Sequence, residues 1–99
     1  MFLGAYHCDG DPVTLLAAYD RLLATFPPDG LLVHVCIVRE GGITIYDACP
    51  SRDVFRAFSS GPELPAAIDA CGLPRPRVEL LGDVHTAIAP AAAPAPTRH

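Results

Sequence analysis

The sequence predicts an α+β fold, a ferredoxin-like β-α-β-β-α-β chain with a four-stranded antiparallel sheet and two helices on one face. Three observations predict it. Short apolar runs alternate with stretches whose apolar residues recur at helical spacing. Two of the runs flank Glu40-Gly41-Gly42, a hairpin signal, because glycine tolerates the positive φ of a tight turn. The joints are marked by Asp-Pro, Pro-Pro and Gly-Pro phrases that stop or start elements. Crossover handedness and the hairpin then favour one antiparallel sheet with both helices on the same side.

The elements follow in order. Phe2 to Cys8 is an apolar run closed by Asp9-Gly10, the first strand. Asp11-Pro12 starts a helix, since aspartate accepts from free N–H groups and proline at the first position has none to leave unpaired. Leu15, Leu16, Tyr19, Leu22, Leu23 and Phe26 make its apolar stripe, and Pro27-Pro28-Asp29-Gly30 ends it. Leu31 to Val38 is aliphatic on both faces and reads as a strand buried on both sides. Ile43 to Cys49 returns as the third strand. Ser51 caps a helix from Arg52, with Asp53 favourable in its first turn and Val54, Phe55 and Phe58 on the buried side. Ser59-Ser60-Gly61-Pro62 interrupts that helix, and a second piece runs from Glu63 to Cys71. Arg77 to Leu81 begins the last strand, with a bulge or bend at Gly82-Asp83 before Val84 to Ile88. Residues 1–88 are expected to form a single domain, and the Ala/Pro-rich residues 89–99 a flexible tail.

The chain has 99 residues, 51% of them hydrophobic and 18% charged, with a formal charge of −4 and no lysine. That is too much apolar surface for so short a chain to hide alone. Two helices cover one sheet face, so the other face is expected to close against a second copy in a homodimer. The acidic balance argues against a nucleic-acid partner, which needs a basic face. No run approaches the ~20 apolar residues of a membrane span. The chain also begins without a basic leader, so a cytoplasmic protein with reduced thiols is expected. Its four cysteines, Cys8, Cys36, Cys49 and Cys71, form no C-x-x-C pair.

Element order and local phrases resemble the dimeric α+β-barrel superfamily, and within it the small proteins grouped with antibiotic-biosynthesis monooxygenases. Thr44-Ile-Tyr-Asp-Ala-Cys-Pro-Ser-Arg-Asp-Val-Phe is similar to that group's third strand running into its second helix. Gly72-Leu73-Pro74 followed by Arg77-Val78-Glu79 is similar to its approach to the fourth strand. The group includes cofactor-free quinone-forming monooxygenases, polyketide cyclases and haem-degrading enzymes. Its monooxygenases typically place an Asn on the third strand, a Trp four residues later and a Tyr early in the second helix. The corresponding positions here are Ile45, Cys49 and Phe55. The resemblance implies a pocket between sheet and helices, faced by Ile45, Asp47 and Cys49.

Alternation places candidate chemistry in that pocket. An even-numbered hairpin loop puts residues 34, 36 and 38 on the same face as 43, 45, 47 and 49. His34 then lies beside Asp47 or Cys49, with Cys36 next to them, in a wall of Val38, Ile43 and Ile45. Phe55 joins the lining through the resemblance. A carboxylate on one imidazole nitrogen fixes the tautomer and leaves the other as a base, which suits proton abstraction beside a carbonyl or from a phenol. His34 and Asp47 are therefore the catalytic candidates, and a core histidine satisfied by a carboxylate is the plain alternative. The thiols read first as small apolar packing. With His34 and Asp47 they would make a mixed zinc set, but no metal motif supports it. Tyr6 and His7 point to opposite faces of the first strand, so at most one meets the pocket. His85 lies beyond the bulge on an unassigned face.

The expected function is a small enzyme without an organic cofactor. It would act on an aromatic or polyketide-like molecule by base-assisted cyclisation, isomerisation or oxygenation. A non-catalytic dimeric binder of a hydrophobic small molecule is the alternative, and a metal or haem binder a third.

Overall fold

The computed structural model describes residues 1–26 and 30–88. The elements run β1 (Phe2–Asp9), α1 (Pro12–Thr25), β2 (Val33–Arg39), β3 (Gly42–Cys49), α2 (Arg52–Ser60), α3 (Glu63–Cys71) and β4 (Arg77–Asp83). The strands form a four-stranded antiparallel sheet in the order β2-β3-β1-β4. This is the ferredoxin-like arrangement, with the interruption at residues 61 and 62 splitting the second helical stretch into α2 and α3. The proline stop at residues 27–29 and the Ala/Pro-rich residues 89–99 lie outside the described residues.

Local chemistry explains the helix starts. Asp11 accepts from the Thr14 amide at 3.0 Å and from its hydroxyl at 2.8 Å, with Pro12 at the first position of α1. Ser51 accepts from the Val54 amide at 3.2 Å, and Asp53 sits in the first turn of α2. The Arg21 guanidinium on α1 donates twice to the Cys71 carbonyl, at 3.2 and 3.0 Å. It thereby satisfies a terminal acceptor of α3 and ties the two helices together.

The core lies between the sheet and the helices, built from Tyr6, Leu15, Ile43, Phe55, Leu64 and Ile68. One close approach fixes α2 against β1. A Cβ on Gly4 would stand 2.0 Å from Cζ of Phe55, so the ring occupies space that only glycine leaves free.

Three expectations change. β2 begins at Val33, and the chain before it touches β3 through one bond, from the Leu32 amide to the Ala48 carbonyl at 2.8 Å. β2 is also an edge strand, so in the single chain its outer residues Val33, Val35 and Ile37 are exposed rather than buried on both sides. β4 carries an extra residue, Leu81, where Gly4 pairs with Leu80 and Leu3 with Gly82. It then ends at Asp83 instead of continuing to Ile88. Its last ladder pair joins Asp83 to Phe2, and one further bond runs from the Val84 amide to the Met1 carbonyl at 2.8 Å. No helix among the described residues is long and apolar enough to cross a membrane.

Candidate functional site

The hairpin turn sets the geometry of the site. Glu40 and Gly41 form its two-residue loop, with Gly41 at φ 79°, a conformation glycine adopts without steric cost. The register that follows pairs Val38 with Ile43, Cys36 with Ile45 and His34 with Asp47. Directly paired side chains share a face, so His34 and Asp47 meet under the helices. Nδ1 of His34 lies 2.6 Å from Oδ1 of Asp47, and Asp47 is 3% exposed.

The helix above supplies a third group. The stripe of α1 buries Leu15, Ala18, Tyr19 and Leu22, and this places the Tyr19 hydroxyl 2.6 Å from Nε2 of His34. The two rings are parallel to within 3°, which suits a bond along the Nε2 lone pair. The sequence reading left that nitrogen free as the base; it is instead occupied by Tyr19. Donor and acceptor capacities give one consistent direction. An ionised Asp47 only accepts, so Nδ1 of His34 donates to it, and Nε2 accepts from the Tyr19 hydroxyl. The three residues form a chain Tyr19–His34–Asp47 across α1, β2 and β3.

Burial tunes its two ends. It pushes the Asp47 carboxyl above the ordinary carboxylate range, and the bond and charge of His34 oppose that rise without cancelling it. Burial, with the nearby Cys36 and Asp47, pushes the Tyr19 phenol up to about 12. Tyr19 is thus neutral at physiological pH and keeps the proton that bridges to His34.

The chain borders a hollow between the sheet and helices α1 and α3. It is open on one side and has a cavity volume of about 50 Å³. Tyr6, Tyr19, His34 and Asp47 bring the polar groups of its lining, and Leu22, Ile45, Phe58, Leu64, Ile68 and Leu73 are among its apolar members. This is the usual composition of a small-molecule site, a largely apolar wall with few convergent polar groups. A second hollow shares the wall of Tyr6, Leu64, Ile68 and Pro76 and reaches Ser59 and Arg75.

The other candidates are placed as follows. Cys36, Val38, Ile43 and Cys49 share the helix-side sheet face through the register but do not border the first hollow. Phe55 is buried over Gly4, against Phe2 and Tyr6, and does not border it either. Burial pushes the thiols of Cys8, Cys36 and Cys49 up, which keeps them protonated and weak as nucleophiles. Among the described residues, no three His, Cys, Asp or Glu side chains are grouped to hold a metal ion. His7 lies on the opposite sheet face. Arg39 Nε donates to Thr44 Oγ1 at 3.0 Å, leaving the Thr44 hydroxyl to donate to His7 Nδ1 at 3.0 Å and His7 Nε2–H to donate to Glu79 at 2.8 Å. His85 is exposed beyond β4.

Tyr6 is the opposite case. It is 4% exposed, borders both hollows, and its hydroxyl has no hydrogen-bond partner among the described residues. Alternation allows only one of Tyr6 and His7 to meet the pocket, and it is Tyr6; Tyr19 reads from the sequence as part of the apolar stripe. The signal for Tyr19 was present: in the stripe of α1 it alone carries a polar tip.

No family model and no curated protein matches the chain. Among solved structures, one named as a candidate antibiotic biosynthesis monooxygenase from Deinococcus radiodurans aligns with a TM-score of 0.61 and 16% identity. The alignment covers 93% of this chain and 100% of that one. Likeness at that identity shows a shared fold.

Proposed function

We propose that the protein is a small enzyme that removes a proton from an aromatic or polyketide-like carbonyl compound without an organic cofactor. The observation that carries this reading is the Tyr19–His34–Asp47 chain on the wall of an apolar hollow. In the proposed step, a C–H bond beside the substrate carbonyl breaks and its proton passes to the Tyr19 oxygen. The Tyr19 proton moves to Nε2 of His34 at the same time. The C–H electron pair moves onto the carbonyl oxygen as an enolate, and the imidazolium is held by Asp47. Returning a proton elsewhere isomerises the substrate, and attack of the enolate carbon on a second carbonyl closes a ring. An apolar surround favours the step, because charge moving between fixed groups is not diluted by water.

α-Tetralone in D₂O tests the reading without knowledge of the natural substrate. The protein should catalyse exchange of the hydrogens beside the carbonyl, followed by proton NMR, and His34→Ala should lose about 10²–10⁴-fold of the rate. Equal exchange by His34→Ala would remove His34 from the chemistry. Recovery of ketone with its hydrogens intact after long incubation would favour the alternative of a non-catalytic binder, which the apolar wall of Leu22, Leu64, Ile68 and Leu73 also supports.

The reading includes a homodimer. Val33, Val35 and Ile37 are 39%, 44% and 38% exposed on the uncovered sheet face, a row of β-branched side chains with nothing over it in the single chain. A second copy closing over that row would complete the burial that the composition calls for.

A further inference from the structure

Removing a proton beside a carbonyl produces an oxyanion, and a base alone is a poor catalyst for that step. The charge needs a donor placed where the oxygen will be. The Tyr19 hydroxyl is engaged with His34 and cannot serve as that donor while it bridges.

Tyr6 supplies an unengaged one. It stands on β1 opposite Ile45 of β3, two residue pairs along from Gly4 and Asp47, and so on the same sheet face as the proton chain. Its ring is held against Phe55, with centroids 5.5 Å apart. Its hydroxyl is enclosed and has no partner among the described residues, whereas buried phenols ordinarily find an acceptor. Burial first, and then the neighbouring Asp47 and Cys49, keep this phenol protonated far above neutral pH. A group held as O–H can donate and will not be lost to ionisation.

We propose that Tyr6 is the carbonyl-binding donor of the hollow, and that the ligand is an apolar ketone whose oxygen meets the Tyr6 hydroxyl while its hydrocarbon frame lies against Leu64 and Ile68. The inference rests on the functional reading above only for the carbonyl; binding is measured separately from turnover. Tyr6 forms part of the wall of both hollows and its hydroxyl is enclosed, so a ligand oxygen reaches hydrogen-bond distance, about 3 Å, when neighbouring side chains give way. Contacts of this kind are often poorly formed before the ligand arrives. The empty protein bears the cost of an unmade bond, so the arrangement is unfavourable to stability and intelligible as a binding device.

The test compares α-tetralone with tetralin, the hydrocarbon of the same frame, by calorimetric titration of the full chain and of Tyr6→Phe and Tyr19→Phe. The wild-type protein should bind the ketone about tenfold more tightly than the hydrocarbon. Tyr6→Phe should bind the two within about twofold, through loss of ketone affinity alone. The empty Tyr6→Phe variant should also melt about 4–8 °C higher, since the orphaned hydroxyl is gone. Tyr19→Phe should keep the preference. Equal binding of both compounds by the wild type, binding of neither, a ketone preference that survives in Tyr6→Phe, or a lower melting temperature for that variant each overturns the proposal. A wild type that prefers the ketone yet never exchanges its α-hydrogens refutes the catalytic reading and leaves the role of Tyr6 standing.

Discussion

Tyr19→Phe separates two versions of the proton chain. In one, Tyr19 meets the substrate and His34 acts behind it; in the other, His34 is the base and Tyr19 blocks it. The substitution deletes a single oxygen, 2.6 Å from Nε2 of His34, and leaves the ring that packs α1 onto the sheet. The stability cost is modest. The His34 side chain is 20% exposed, so water can take the place of the lost donor, and about 1 kcal/mol is expected. The effect on rate is far larger if Tyr19 is the group at the substrate. Loss of a positioned acid–base group costs about 10²–10⁴-fold, or about 3–5 kcal/mol of barrier. The assay is deuterium incorporation into α-tetralone at fixed pH, with His34→Ala and the double variant measured beside it. Residues acting as one unit are non-additive, so the double variant should be no slower than His34→Ala. Exchange by Tyr19→Phe within about threefold of the wild type, or faster because Nε2 has been uncovered, would refute the relay and return the base to His34 alone.

Other outcomes follow from the same structure. Gly4→Ala forces Phe55 to retreat from a contact of 2.0 Å to the usual 3.5–4 Å or so, which should cost about 1–3 kcal/mol. A thermal melt unchanged from wild type would show that the ring does not rest on Gly4. Alkaline pH should destabilise the fold. Burial raises the Tyr6 and Tyr19 phenols, so they impose no ionisation penalty on the fold below pH ~10, and stability falls as the pH rises toward about 12 because the unfolded chain ionises first. The chain has no lysine to titrate in that window. Melting temperatures that do not fall between pH 9.5 and 11.5, or three tyrosines ionising together near pH ~10 by ultraviolet titration, would contradict this. Val35→Asp places a charge in the exposed β2 row and should convert a dimer of twice 10.5 kDa into monomer by light scattering. A wild type already monomeric at high concentration would count against the proposed association.

How far the sequence could be read depended on whether the deciding interaction was local. The hairpin was legible because Gly41 and the strand alternation fix register within a dozen residues, and that alone brought His34 to Asp47. The capped helix starts at Asp11 and Ser51 were legible for the same reason. Tyr19 was not, because spacing says only that it faces inward. Its hydroxyl finds His34 through the way α1 lies across the sheet, a tertiary fact that periodicity does not contain. Tyr6 was half legible: alternation gave it a face but not whether its hydroxyl had a partner. The end of β4 was not legible because Val84 to Ile88 has the composition of a strand, whereas the ladder with β1 closes at the pair Asp83 and Phe2, a tertiary fact.

The position of His34 links the two parts of the functional reading. It stands on β2, the edge of the sheet, held on one side by β3 and open on the other. Edge strands open more readily than central ones, and a proton chain with 2.6 Å contacts at both imidazole nitrogens tolerates little movement of its middle member. Two devices restrain it from the helix side, the Tyr19 bond and the Asp47 bond. On the opposite face of β2, Arg39 bonds Thr44 at one end of the strand, while Val33, Val35 and Ile37 are exposed and need a covering surface for their burial. A partner closing over that row would therefore do more than hide apolar area. It would clamp the strand that carries His34, so that association and the geometry of the proton chain reinforce each other through a single element of the fold.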